Sequence, residues 1–95
     1  MAHELVYGTV VEGPRKVIHV VRVLGEILDA GEVDDIANKV RERMLSRHGE
    51  QAADVVVVQG TTKDTLRFFG ASYAVSRVRA ALFNVALSWT PIALD

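Results

Sequence analysis

The most chemically suggestive stretch of this 95-residue chain is Val58-Gln59-Gly60-Thr61-Thr62-Lys63-Asp64. An apolar strand there runs into a glycine, two hydroxyls and a lysine. Phosphate sites share these parts: the glycine lets the backbone come close, free N–H groups and hydroxyls bond the oxygens, and the ammonium supplies charge. The Walker loop also needs a glycine just before its lysine and a Ser or Thr just after, and Thr62 and Asp64 stand in those places. An ordinary polar turn explains the same residues. Gly60, Thr61, Thr62, Lys63 and nearby Arg67 form the candidate set for binding an anion or a nucleotide.

Other chemistries are thinly represented. The chain has no cysteine, which excludes disulfides, thiolate metal sites and a cysteine nucleophile. His3, His19 and His48 lie far apart, with no second ligand at zinc spacing, and read as solvated or helix-capping side chains. No metal and no cofactor is expected. Glu26, Asp29, Glu32, Asp34 and Asp35 suggest a calcium loop, but a loop starting at Asp29 would need glycine and glutamate where Asp34 and Val40 stand. The cluster reads instead as an acidic helix start. Ser46, Ser72, Ser76 and Ser88 have no nucleophile-elbow context. No catalytic residue is assigned, and a binding or assembly role is favoured over an enzyme.

Residues 66–82, LRFFGASYAVSRVRAAL, are similar to the DNA-binding helix–turn–helix pattern, with a small residue at Gly70, a turn near Ala74 and a second helix opening at Val75-Ser76-Arg77. The resemblance covers about a fifth of the chain, and implies that Ser76, Arg77 and Arg79 face DNA. It departs from the pattern at Ala74, where the turn glycine is usual, and at Ala80, where a β-branched residue is usual. Eleven basic against twelve acidic side chains leave a net charge of −1. Nucleic acid is therefore a disfavoured partner, because phosphate neutralisation supplies much of such affinity.

These residues need elements to hold them. Glu4 to Glu12 reads as a strand ending at Gly13-Pro14. Apolar residues at 17, 20, 21, 24, 27 and 28 have helical spacing, which predicts a helix over 14–29 with Gly31 as its left-handed cap. Val33, Ile36, Ala37, Val40 and Met44 predict a second helix over 32–48, acidic at its start and basic later, as the helix dipole favours. The four valines at 55–58 predict a strand over 53–59 that is buried on both faces. A strand over 64–69, with a short helix starting at Thr65 as the alternative, and a helix over 72–88, capped by Ser72 and stopped by Pro91, follow. The alternative ends this helix at Asn84 and makes a final strand within 87–94. The expected class is α+β, a single small two-layer domain over residues 1–95 with helices packing one small sheet.

The chain is 49% hydrophobic, a high share for a domain that buries only about 60–65% of its unfolded surface. Phe68, Phe69, Tyr73, Phe83, Trp89 and Ile92 concentrate in the last third and are the candidate interface residues of a homo-oligomer or of a complex with another protein. The two parts of the chain differ in charge: residues 1–38 carry three basic and seven acidic groups, residues 39–95 eight and five. No apolar run resembles a signal peptide or a membrane span, so the expected location is the cytoplasm and no membrane partner is expected.

Overall fold

The computed structural model describes residues 4–13, 16–25, 29–48, 54–60, 65–84 and 87–93. Its elements are β1 (Glu4–Gly13), β2 (Lys16–Leu24), α1 (Ala30–His48), β3 (Asp54–Gln59), β4 (Arg67–Phe69), α2 (Ser72–Asn84) and β5 (Thr90–Ile92). One five-stranded sheet has the order β4-β3-β2-β1-β5. β2 and β3 are parallel, and the other neighbouring pairs are antiparallel. Parallel neighbours need a crossover, which α1 provides.

The expected helix over 14–29 is not formed: Lys16–Leu24 is a strand that pairs with β1 from Glu4↔Leu24 to Gly13↔Lys16. β2 lies between β1 and β3, and both of its faces are covered, Val21 and Val23 joining the core on the α1 side and Ile18 and Val20 the core on the α2 side. Its apolar residues therefore come in doublets, Val17-Ile18, Val20-Val21 and Val23-Leu24, which mimic helical spacing. Its β-branched composition suits a strand. Gly31 caps nothing; it lies in the first turn of α1. Gly25, with φ +98°, ends β2 instead.

The class is α+β as expected, but the layers number three. Side chains alternate faces along a strand. On β3, Val55 and Val57 join Val33, Ile36 and Val40 of α1 in one core. Val56 and Val58 join Ala74 and Val78 of α2 in another. The helices thus lie on opposite faces of the sheet, and all four valines are at most 4% exposed.

Helix boundaries follow local chemistry. Asp29 caps α1: its Oδ1 accepts the Glu32 N–H at 2.9 Å, and the Glu32 carboxylate accepts the Asp29 N–H at 3.4 Å. Such a reciprocal capping box is worth about 1 kcal/mol, and it gives Asp29 and Glu32 of the acidic cluster a structural role. For α2, Val75 N–H bonds the Ala71 carbonyl at 2.9 Å, which makes Ala71, rather than Ser72, the cap position. The helix stops at Asn84, short of 88, and β5 occupies part of the alternative strand. Asn84 is not left-handed, since no described residue other than glycine has positive φ.

Gly60 turns the chain out of β3 with φ +120°, and a Cβ there would lie 2.5 Å from the Thr65 carbonyl oxygen. Both the backbone region and the space demand glycine. Gly60→Ala is expected to cost about 3 kcal/mol, seen as a lower urea midpoint at unchanged m-value. A cost below about 0.5 kcal/mol, the size of an ordinary surface change, would contradict this geometry.

Candidate functional site

The candidate loop is described only at its ends. Thr61, Thr62 and Lys63 lie outside the described residues, and the Gly60 backbone packs against that of Thr65 and Leu66 too closely to admit a Cβ. Arg67 is exposed on the edge strand β4, opposite Gln59, with its guanidinium carbon 5.5 Å from the centroid of the Phe69 ring. Arg67 shares the sheet face of Gln59 and Phe69, which is the face covered by α1.

The helix–turn–helix expectation is overturned. Residues 67–69 are a strand paired with β3, so the first helix of that motif is absent. Ala74, placed at its turn, lies within α2 and is 0% exposed against the sheet. Ser76, Arg77 and Arg79 are exposed on α2, and Arg79 places its guanidinium carbon 4.9 Å from the centroid of the Phe68 ring.

Most of the aromatic surplus is absorbed by the fold. Phe69 and Ile92 pack against the α1-side core, Phe68 and Trp89 against the α2-side core. Tyr73 and Phe83 keep 44% and 46% of their surface exposed. The Tyr73 hydroxyl donates to Oδ2 of Asp54, tying the start of α2 to the start of β3. Val11, which was not among the candidates, is the most exposed of the described large apolar side chains at 71%. Its signal is its place near the Gly13 end of β1, where it pairs with Val17 of β2.

Besides fully buried Gln59 on β3, two polar groups inside the sandwich lie on β2, where a helix was expected. His19 is not a solvated side chain: it is 5% exposed. The hydroxyl of Tyr7 meets its Nδ1 at 2.5 Å, and the two rings stack at 5.8 Å and 20°. Tyr7 and His19 belong to the alternate pairs Tyr7↔Val21 and Thr9↔His19, so they are diagonal neighbours on the α1 face. The bond forms with a neutral imidazole accepting from the phenol, or with Nδ1–H donating to it. His3 and the side chain of His48 lie outside the described residues. The second group, Arg22, is partly buried on the α2 face, and its guanidinium carbon lies 6.0 Å from the Trp89 ring centroid.

Among the described residues no group of three or more His, Cys, Asp or Glu side chains could hold a metal ion. No helix among them is long and apolar enough to cross a membrane. Comparison with protein-family models, with curated proteins and with solved structures gives no match.

Tyr7→Phe removes the phenol from a buried imidazole nitrogen and is expected to destabilise the fold by about 1–3 kcal/mol, measured by urea unfolding. An unchanged midpoint would show that the bond carries no stability.

Proposed function

We propose that this chain is a non-enzymatic association module whose partner is a second copy of itself, added along the outer edge of β1. The observation that carries this reading is the uncovered run of β1 at the hairpin tip. β5 pairs only with Leu5, Val6 and Tyr7, and Gly8 is packed against the Ser88 carbonyl and the Trp89 ring, so among the described residues no strand covers the outer edge of β1 from Thr9 to Gly13. That run includes Val11 at 71% exposure.

The other two edges are guarded. β5 is three residues long with Pro91 at its centre, and a proline cannot donate to an added strand. β4 is also three residues long and begins with exposed Arg67. Short, charged or proline-bearing edges discourage strand addition. The tip of β1 has length and an apolar side chain instead. Two copies of one edge pair antiparallel about a two-fold axis, the usual symmetry of dimers, and a net charge of −1 opposes this only weakly.

Light scattering coupled to size-exclusion chromatography tests the reading. The expected result is a concentration-dependent dimer mass that Val11→Lys shifts toward monomer, raising the dissociation constant at least about tenfold. A monomer mass at every concentration would overturn it, as would a dimer indifferent to Val11→Lys.

A further inference from the structure

β5 is held to the sheet by little. It makes three residue pairs with β1, and because Pro91 has no N–H, the pair Val6↔Pro91 is the kind without hydrogen bonds. The ladder bonds therefore belong to Leu5↔Ile92 and Tyr7↔Thr90. Thr90 and Pro91 are exposed, and Ile92 is partly buried. Just past the strand, the Ala93 carbonyl accepts a hydrogen bond from the Arg43 guanidinium of α1. Just before it, Ser88 is exposed and Trp89 partly buried.

The large anchor of this segment is Trp89. Its ring lies against Gly8, where a Cβ would come within 3.3 Å of it, and over Arg22, whose guanidinium carbon is 6.0 Å from the ring centroid. The fit is imperfect, because Nε of Arg22 is buried and meets no hydrogen-bond acceptor. A charged donor left unmade is costly, and lifting Trp89 uncovers the guanidinium to water. Closed β5 thus carries a penalty that opening relieves. Elements with few buried apolar contacts open without global unfolding.

What β5 covers is the continuation of the free edge. Backbone directions alternate along a strand, so the outward N–H and C=O groups of β1 belong to Leu5 and Tyr7 beneath β5 and to Thr9 and Val11 beyond it. Ser88 and Trp89, packed on Gly8, mark where the free run stops. We propose that β5 is a displaceable strap that limits self-association. Closed, it leaves a second copy of this chain only Thr9 to Gly13 of β1. Open, it frees Leu5 to Gly8 as well, and the added strand lengthens. This inference rests on the edge-pairing reading above and assigns the regulation of that edge to β5. An exposed three-residue strap with a proline at its centre can cover an edge without offering a new one.

Thr90→Pro in the full chain tests the strap, since it deletes a ladder N–H at an exposed position and leaves both cores intact. Arg43→Met, which keeps an apolar stem but releases Ala93, carries the test if Thr90→Pro fails to fold. Amide exchange read by nuclear magnetic resonance reports the opening: in the parent protein, protection factors of Thr90 and Ile92 are at least about a hundredfold below those of Val56 and Val57. Light scattering reports the association: either variant lowers the dimer dissociation constant at least about tenfold, and adding Val11→Lys reverses the gain. Protection of Thr90 and Ile92 equal to that of Val56 and Val57 would overturn the strap. So would a parent dimer whose dissociation constant neither variant lowers, or a gain indifferent to Val11→Lys. Monomers throughout, with weakly protected β5 amides, would instead refute the edge pairing itself and the restraint with it.

Discussion

Four consecutive valines in β3 set the constraint on which the rest of the architecture depends. Successive side chains of a strand point to opposite faces, so Val55 and Val57 need one apolar layer and Val56 and Val58 another. Each valine gains about 1.5–3 kcal/mol from full burial, which one layer could supply to only half of them. The chain meets the demand with a helix on each face. α1 crosses over between parallel β2 and β3 and brings Val33, Ile36 and Val40 to one side. α2 returns along the other with Ala74 and Val78. The small side chain of Ala74 lets α2 approach the sheet closely.

The same constraint explains the polar residues. A central strand with both faces covered has no wet side on which to place His19 and Arg22. Each instead meets an aromatic partner from a neighbouring element: Tyr7 for His19 on the α1 face, Trp89 for Arg22 on the α2 face. The two solutions differ in completeness. The imidazole nitrogen of His19 has its hydrogen bond, whereas Nε of Arg22 has none. That difference leaves the Tyr7–His19 pair as the satisfied polar contact of the hairpin and Arg22 as the unsatisfied one.

Much of this fold was legible in the residues. The valine run of β3, the polarity of α1, the Gly13-Pro14 stop of β1 and the apolar stripe of α2 each follow from local patterns that the tertiary structure keeps. β2 was not legible, because a strand buried on both faces loses its alternation, and its apolar doublets satisfy helical spacing equally well. That one misreading propagated. Two layers were expected in place of three, and a solvated or capping His19 in place of a buried one. Within the candidate site, Arg67 was seen and lies at the sheet edge, while Arg22, Tyr7 and Val11 were passed over. Their signal lies in pairing, not in spacing: once a hairpin turn is placed at Gly13-Pro14, its register brings Tyr7 beside His19. Pro91 predicts a helix stop near 88, but it belongs to β5, and α2 ends earlier at Asn84.

Side-chain proximity on the two faces of β3 tests the central claim most directly. In a methyl-labelled sample, nuclear Overhauser contacts should link Val55 and Val57 to Val33, Ile36 and Val40. Val56 and Val58 should show contacts to Ala74 and Val78, with no crossing between the two sets. Contacts from adjacent valines to the same helix would place both helices on one face and contradict the three-layer account.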